Sequence, residues 1–463
     1  MQAWSLAPDG QSSNHQAMSR RKFPPKLEVT VDEIDAEGVG LARWGERDVR
    51  VKAGLPGEEV VARTVGRRKG AALAVTEQLT ANVSADRQDV PCAFFPRCGG
   101  CALQHLNYDS QLRLKQQGLL DELEHCEVSF EKLRAPVGSP QFGYRRKARL
   151  GVRALDELLL VGFREAFGGR IVKMTQCMAL TPPFDELFPA LAALINELSI
   201  PGAVPQIETA VGDAQAALVI RHLEALDAKD ARLLGEFQLR HNVTIYTQAD
   251  GYDSVTPLRA DAAMPNYSLP EFGVNLEFAV TDFIQVNRVI NNALVRAVAA
   301  AFESGDNQNS KLHIADMFCG IGNFSLPLAR RGHQVSGWEA ASEAIERARS
   351  NAHRNGLSEC TAFAVADLYG LPGDKKLKTE VAQLGGVDAL VLDPPRSGAG
   401  PALASWLGER VRKVVYVSCN PKTFASDAVV LGQHNFVLTD VGIYDMFPHT
   451  AHVETLGIFE RRG

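Results

Sequence analysis

Residues 312–324 read Leu312-His313-Ile314-Ala315-Asp316-Met317-Phe318-Cys319-Gly320-Ile321-Gly322-Asn323-Phe324. The beginning of this stretch predicts a buried β-strand, and its two glycines predict a tight turn that leads into a helix. Small residues at such a turn let the backbone approach a bound ligand closely. The stretch therefore predicts the start of an α/β domain that binds a nucleotide-like ligand.

Three further segments with the same strand-like character follow, and helical stretches separate most of them. These segments are 334–339, 387–393 and 413–418. Such alternation favours a doubly wound, mainly parallel sheet, in which ligands bind at the carboxyl ends of the strands. We expect this Rossmann-like α/β domain to span residues 283–463.

The rest of the chain predicts two more domains, because 463 residues exceed a single ordinary core and suggest about three. Short β-rich runs between glycine turns predict a small OB-like β-barrel over 26–83. A disordered basic tail at 1–25 is expected to precede it. Residues 84–282 predict a central α/β domain that contains a cluster of cysteines.

Composition narrows the possible partners. The formal net charge of −6 excludes a general attraction to polyanions, so nucleic-acid binding must use local basic patches. Arg67-Arg68-Lys69 at a predicted hairpin tip and the cation-rich strand within 144–153 are two candidates. No apolar run reaches the roughly 18 residues of a membrane span, and the polar N-terminus lacks a secretory signal. We expect a monomeric cytoplasmic protein with no membrane or DNA partner.

Carboxylates near the ends of strands indicate a nucleoside site. Glu339 ends the strand that follows the glycine turn, where it could accept hydrogen bonds from both hydroxyls of a ribose. Asp367 lies further along and could meet an adenine amine. The glycine turn lacks a third glycine and a phosphate-binding lysine. S-adenosylmethionine therefore fits better than NAD or ATP.

A cysteine and two acids indicate a catalytic cleft. Asp393 and Cys419 both end strands, so both should emerge at the carboxyl edge of the sheet. Turn-forming neighbours argue against burial of the cysteine, whose thiol could attack a substrate. Glu454 precedes an apolar run, and an alternative interpretation is a solvated residue where a loop enters an edge strand.

Together these segments resemble the motif set of RNA uracil-5 methyltransferases. The matching segments are Phe283–Asn287, Phe318–Phe324, Asp393–Arg396, Ser418–Pro421 and His449–Glu454. The barrel and the cysteine spacing are similar to the TRAM domain and cysteine segment of members that act on 23S ribosomal RNA. The resemblance implies methyl transfer from S-adenosylmethionine to carbon 5 of a uridine in that RNA, by resemblance uracil 1939.

The resemblance also implies residue roles. Cys419 would add to carbon 6 of uracil, and Glu454 would later remove the proton from carbon 5. The residues around the methyl donor would be Gln285, Phe318, Asn323, Glu339, Asp367 and Asp393. Asp393 could instead contact the uracil ring. Because the thiolate is the reactive form, we expect the site to favour the anion at Cys419, although no basic neighbour is obvious.

Four other cysteines indicate a metal centre. Cys92, Cys98 and Cys101 form a compact loop able to offer three thiolates, and Cys177 is the best fourth ligand. An all-cysteine set suits zinc or an iron–sulfur cluster. The resemblance favours a structural [4Fe-4S] cluster.

Three alternatives remain open at this point. A related enzyme that methylates transfer RNA is expected to lack the barrel and the cysteine cluster. An RNA cytosine-5 methyltransferase would carry a proline-linked cysteine, which is absent from Asp393-Pro394-Pro395-Arg396. An RNA-binding or iron–sulfur scaffold with a degenerate transferase domain is a third.

Overall fold

The structure is a computed structural model that describes residues 23–155, 158–303, 311–369 and 386–462. Most of the predicted tail at 1–25 lies outside these residues. Its last three residues do not belong to a tail, since Phe23 is buried and its ring centroid lies 6.0 Å from that of Trp44. Residues 23–25 therefore belong with the barrel, because the ring of Phe23 packs against that of Trp44. No helix in the described ranges combines the length and apolar character needed to cross a bilayer.

Five strands form the N-terminal barrel. They are β1 (Lys26–Ile34), β2 (Gly40–Trp44), β3 (Arg47–Lys52), β4 (Glu59–Arg68) and β5 (Ala71–Ala81). The order β1-β2-β3-β5-β4 closes because β1 also pairs with β4. Exposed and buried side chains alternate along most of β1, so a strand period of two gives one solvent face and one core face. The basic cluster at 67–69 lies at the β4–β5 hairpin tip, as predicted.

The central region contains a six-stranded sheet and a two-stranded hairpin. Its elements are α1 (Tyr108–His125), β6 (Phe130–Leu133), β7 (Lys147–Leu155), β8 (Leu158–Gly162), α2 (Phe188–Glu197), β9 (Gln206–Val211), β10 (Ala216–Arg221), α3 (Ala228–His241), β11 (Thr244–Gln248), β12 (Val255–Pro257), β13 (Asn266–Leu269) and β14 (Val274–Glu277). The larger sheet has the order β12-β11-β10-β9-β7-β8, and β13 pairs with β14.

The C-terminal region forms the predicted doubly wound sheet. Its elements are α4 (Arg288–Glu303), β15 (His313–Met317), α5 (Ser325–Arg330), β16 (Gln334–Glu339), α6 (Ser342–Arg354), β17 (Thr361–Val365), β18 (Ala389–Leu392), α7 (Leu403–Trp406), β19 (Lys413–Ser418), α8 (Pro421–Gln433), β20 (Phe436–Tyr444) and β21 (Glu454–Arg461). The sheet order is β17-β16-β15-β18-β19-β21-β20-β6. Strands β15 to β19 are parallel, and β21 runs antiparallel to both its neighbours.

The strand order places a crevice at the centre of this sheet. The chain first builds outward from β15 to β17 and then returns to the other side of β15 with β18 and β19. Such a reversal opens a space at the carboxyl ends of the two strands on either side of it. The glycine turn after β15 and Asp393 after β18 both begin at this point.

One segment upstream of the C-terminal sheet is part of that sheet. β6 pairs in parallel with β20, and α1 packs against α8 and β20. Lys115 of α1 forms a buried ion pair with Asp445, with Nζ and Oδ1 2.6 Å apart. The sequence prediction assigns residues 108–133 to the central domain, whereas their strand pairing and packing join them to the C-terminal sheet.

Candidate active site

Strand ends bring Asp393, Cys419 and Glu454 together. Asp393 follows β18, Cys419 follows β19, and Glu454 begins β21 beside β19. In the antiparallel β19–β21 ladder Ser418 pairs with Thr455. The next positions along this register are Cys419 and Glu454, so the sheet itself sets the thiol beside the carboxyl.

Cys419 lines a cleft of about 350 Å³. Its walls come from the barrel turn at 34–36, from α1, from the residues that follow β19, and from the loop at 451–453. The cleft therefore lies between the barrel and the C-terminal sheet, with the thiol on one wall.

The protonation state of Cys419 differs from the sequence expectation. The pKa of this thiol is raised to about 11, mainly by burial and then by the charges of Glu454 and Asp393. Arg396 acts in the opposite direction, through its positive charge and a hydrogen bond to the thiol. The expected thiolate is wrong for this state, because burial and two carboxyls outweigh one guanidinium.

Glu454 is buried rather than solvated, with 4% of the residue exposed. Burial and then the charge of Asp393 raise the pKa of Glu454 well above its usual value, while Arg396 lowers it. Its Oε2 has no hydrogen-bond partner within the described ranges. The alternative interpretation of an edge residue is wrong, since β21 lies between two strands. A buried carboxyl with an unpaired oxygen is suited to proton transfer.

Arg396 is the basic neighbour that sequence reasoning did not find. Its Nη2 lies 2.7 Å from Nδ1 of His452. Burial and the charge of Arg396 lower the pKa of His452 to about 4, so the neutral imidazole accepts this hydrogen bond. The sequence feature that could have identified Arg396 as a neighbour of Cys419 is its position shortly after the end of β18.

Gln285 and Asp393, both predicted to face the methyl donor, meet in the crevice. The side-chain amide of Gln285 donates to Oδ2 of Asp393 over 3.2 Å. The pKa of Asp393 is raised to about 7, mainly by burial and then by the charge of Asp316, while the Gln285 hydrogen bond acts in the opposite direction.

Asn323 in the glycine turn is held by neighbours that lie far away in sequence. Its Oδ1 accepts from Oη of Tyr267 at 2.9 Å and from Nδ2 of Asn291 at 3.0 Å. Its own Nδ2 donates to Oδ1 of Asn291 at 2.9 Å. These contacts engage the amide inside the protein and stabilise the turn. Sequence reasoning missed Tyr267 and Asn291 because neither lies in a motif.

Phe318, Glu339 and Asp367 follow three neighbouring parallel strands. Phe318 has a φ of 65°, a left-handed conformation that is unusual for a bulky residue. Its ring centroid lies 5.6 Å from Tyr369 and 6.0 Å from Trp406. Glu339 accepts hydrogen bonds from the next two backbone amides, and exposed Asp367 accepts one from the Tyr369 amide. All three residues lie at the carboxyl edge of the sheet.

The four predicted metal ligands line one cavity of about 210 Å³. These residues are Cys92, Cys98, Cys101 and Cys177. Burial raises the pKa of Cys101 to about 12 and that of Cys177 to about 11. Among the residues that the structure describes, no group of three or more His, Cys, Asp or Glu side chains fits a single metal ion.

Two neighbours organise the cysteine loop. Lys52 of β3 donates to the carbonyl oxygens of Cys98 and Cys101, at 2.9 and 2.8 Å. The backbone N–H of Gly100 donates to Sγ of Cys98 over 3.3 Å. A residue of the barrel therefore fixes the backbone of the cysteine loop, and the N–H dipole of Gly100 points at the sulfur of Cys98.

Two of the five cations within 144–153 do not form a solvent-exposed basic surface: Arg146, just before β7, and Lys147, at its start. Arg146 is buried and its Nη2 lies 2.9 Å from Oδ1 of Asp213. Lys147 donates to the carbonyl oxygen of Val280 over 2.8 Å. Burial lowers the pKa of Lys147 to about 8. These two side chains connect the central sheet to its neighbours rather than facing solvent, whereas Arg149 remains exposed.

Comparisons with known proteins agree with this geometry. A family model described as tRNA (Uracil-5-)-methyltransferase matches residues 267–462. A protein of Alkalilimnicola ehrlichii named 23S rRNA (uracil(1939)-C(5))-methyltransferase RlmD is 40% identical over 451 residues, which cover 96% of this chain and 98% of that protein. The protein of the same name from Bordetella avium is 38% identical over 445 residues, covering 93% and 90%. This chain belongs to the RNA uracil-5 methyltransferase family.

A solved structure of a uracil-5 methyltransferase is also similar over its whole length. It is the Pyrococcus abyssi tRNA (uracil-54, C5)-methyltransferase in complex with S-adenosyl-L-homocysteine, with a TM-score of 0.69 and 26% identity. The match covers 94% of this chain and all of that one. Because the unmatched remainder is shorter than the barrel at 26–83, the match includes barrel residues. The expectation that transfer-RNA enzymes lack the barrel is therefore wrong.

One exposed aromatic ring lies close to this family's predicted donor residues. Phe283 is 75% exposed, two residues before Gln285. Such exposure is unusual for phenylalanine and offers a stacking surface for a base that has left its helix. Sequence reasoning quoted this residue within a motif and gave it no role.

Proposed function

We propose that this protein transfers a methyl group from S-adenosylmethionine to carbon 5 of a uridine in 23S ribosomal RNA. The observation that carries the proposal is that Cys419 and Glu454 each adjoin the Ser418–Thr455 pair of the β19–β21 ladder, and that Gln285 contacts Asp393 at the same edge of the sheet. The names of the two relatives favour uracil 1939 as the target. A cytoplasmic monomer suits this reaction.

Covalent catalysis overcomes the weak nucleophilicity of uracil carbon 5. Cys419 loses its proton and its sulfur bonds to carbon 6, which moves the electrons of the 5,6 double bond into an enolate. Since the pKa of Cys419 is about 11 without substrate, the bound state must favour the thiolate. The charge of Arg396 does so, and the positive sulfonium of a bound donor adds to it.

Glu454 completes the reaction. S-adenosylmethionine, when bound, supplies an electrophilic methyl group, which the enolate accepts at carbon 5. Glu454 then takes the proton from carbon 5, the 5,6 double bond reforms, and Cys419 leaves as a thiolate. One methyl group enters and one proton leaves. The residues proposed to surround the donor are Gln285, Phe318, Asn323, Glu339, Asp367 and Asp393.

The second part of the proposal is that Cys92, Cys98, Cys101 and Cys177 hold a structural [4Fe-4S] cluster. A cavity of about 210 Å³ lined by four thiols suits a multi-atom cluster better than one zinc ion. The N–H of Gly100 would stabilise the Cys98 thiolate as a cluster ligand.

The barrel at 26–83 is proposed to be a TRAM-like RNA-binding domain. Its exposed cations at 67–69 provide a phosphate-binding tip, and its turn at 34–36 forms one wall of the cleft beside Cys419. Residues 84–282 and 283–463 would supply the cluster domain and the methyltransferase domain.

Radiolabelled methyl donor and 23S ribosomal RNA test the proposal. We expect label in 5-methyluridine of that RNA, and none with Cys419→Ala. The variant should still bind the donor, since its side chain lies on the substrate side. Label in cytosine, or in transfer RNA alone, would overturn the assignment.

A further inference from the structure

The loop between β20 and β21, residues 445–453, connects the active site to the rest of the molecule. Ala451, His452 and Val453 form one wall of the cleft beside Cys419. Within the loop, His449 is fully buried and has a φ of 64°. A non-glycine residue keeps this left-handed conformation only where its surroundings hold it there.

The backbone of His449 is attached to the cysteine loop. Its carbonyl oxygen accepts hydrogen bonds from the N–H groups of Ala102 and Leu103, at 2.8 and 2.9 Å. These two residues directly follow Cys101. The loop that lines the four-cysteine cavity and the loop that lines the catalytic cleft therefore share two hydrogen bonds.

The backbone N–H and the Nδ1 atom of His449 contact α1. The N–H donates to Oε1 of Gln111 over 2.9 Å, and Nδ1 lies 3.2 Å from Nε2 of the same residue. The ring packs against Phe142 with the planes tilted by 32° and the centroids 4.9 Å apart. The side chain is thus fixed on two sides.

A neighbouring contact reaches the same cavity. Tyr144 lines the four-cysteine cavity, and its hydroxyl donates to the carbonyl oxygen of Pro448 over 3.0 Å. Two independent attachments therefore connect the surroundings of the cysteines to consecutive residues of the catalytic loop.

The far end of the loop reaches Cys419 through one further pair. The guanidinium of Arg396 donates a hydrogen bond to His452, and Arg396 and Cys419 line the same cleft. The positive charge of Arg396 lowers the pKa of the Cys419 thiol. A displacement of the loop would move His452 and so release the guanidinium from the thiol.

We propose that His449 is a positioning residue that couples the cysteine loop at 98–103 to the reactivity of Cys419, through His452 and Arg396. The inference rests on the proposed function for its purpose, since Cys419 is there the nucleophile. It does not rest on the identity of the RNA. A displacement of the cysteine loop, which belongs to the central region, would thereby lower the reactivity of the Cys419 thiol.

Alkylation of Cys419 by iodoacetamide, followed on its peptide by mass spectrometry at pH 8, measures this coupling without RNA or methyl donor. The His449→Gly variant removes the ring contacts with Gln111 and Phe142 and frees the backbone from its fixed left-handed conformation, which loosens the hydrogen bonds from Ala102 and Leu103. We expect the alkylation of Cys419 to slow by about 3- to 10-fold, because the thiolate fraction falls when Arg396 is released. Asn242→Gly, a matched control at a left-handed residue that ends α3, should leave the rate unchanged.

A double-mutant cycle separates this coupling from a general loss of structure. Arg396→Gln should slow alkylation by itself, and adding His449→Gly should cause no further slowing. Tyr144→Phe serves as a milder second variant if His449→Gly fails to fold, with an expected slowing of about 2-fold. An unchanged rate in the folded single variants, or additive effects in the cycle, would overturn the proposal. Because the alkylation assay contains no RNA, a failure of the protein to methylate 23S RNA would contradict the proposed function without changing these alkylation rates.

Discussion

The catalytic cleft and the four-cysteine cavity contain thiols of similar acidity that have very different neighbouring groups. Burial raises the pKa to about 11 at both Cys419 and Cys177. Cys419 faces two carboxyls and one guanidinium in a cleft of about 350 Å³, whereas Cys177 faces other thiols in a cavity of about 210 Å³. Since burial is common to both, the neighbours decide the chemistry. Carboxyls that exchange protons suit a nucleophile, and converging thiols suit a shared metal centre.

The largest expected effect comes from a substitution in the catalytic cleft that removes the proposed proton acceptor. Glu454→Gln should slow turnover by about 10²- to 10⁴-fold, because carbon 5 then keeps its proton and the thiolate cannot leave. A denaturation-resistant adduct between protein and methylated RNA should accumulate on gels. Glu460→Gln, further along β21 and paired with Lys413, is the control and should retain normal turnover.

Burial of the Asp393 carboxylate in the catalytic site should lower the free energy of unfolding at high pH. The pKa of Asp393 is about 7 in the folded protein, so the fold favours its protonated form. Stability is therefore complete below the usual aspartate pKa and is lost as pH rises through 7, by up to about 4 kcal/mol. Asp393→Asn should raise the urea midpoint at pH 8 and leave it unchanged at pH 4.

A control of opposite sign accompanies that measurement. The charge and hydrogen bond of Arg259 lower the pKa of exposed Asp261. Asp261→Asn should therefore lower stability at pH 8, if it changes stability at all. A stabilising effect of the same size at both sites would contradict a local origin for the Asp393 effect.

The cysteine side of the comparison predicts loss of metal. Cys101→Ser removes one of the four proposed ligands, so iron per protein should fall by about 10-fold or more after anaerobic purification. The brown colour expected of the parent protein should fade with it. Cys126→Ser, outside the cavity, should keep the parent's iron content. A colourless parent that contains zinc would contradict the cluster.

The smallest expected effect concerns the exposed ring of Phe283, two residues before Gln285. Phe283→Ala should raise the KM for RNA about 5-fold, since stacking of one base contributes about 1–3 kcal/mol. The urea midpoint should hardly change, because an exposed side chain adds little to the core. Equal KM values for the two proteins would remove Phe283 from the RNA contact surface.

Local pattern was a reliable guide to the central strands of the C-terminal sheet. The predicted segments 334–339 and 413–418 coincide with β16 and β19. In β19 all residues but the first are buried, as expected of an apolar strand inside a parallel sheet. Polar residues just after such runs correctly indicated the edge where Cys419 and Asp393 lie. The short barrel strand β2, between glycine turns, has no such run and was missed.

The sequence alone therefore determined the central strands of the C-terminal sheet, the polar groups at the ends of these strands, and the family motifs that they match. Those properties depend on neighbouring residues and on short periods along the chain. Only the tertiary structure decided that α1 and β6 complete the C-terminal sheet, that Arg396 and His452 contact each other beside Cys419, and that His449 contacts the cysteine loop. Such contacts join residues far apart in sequence, and their strength comes from burial that exists only once the chain has folded.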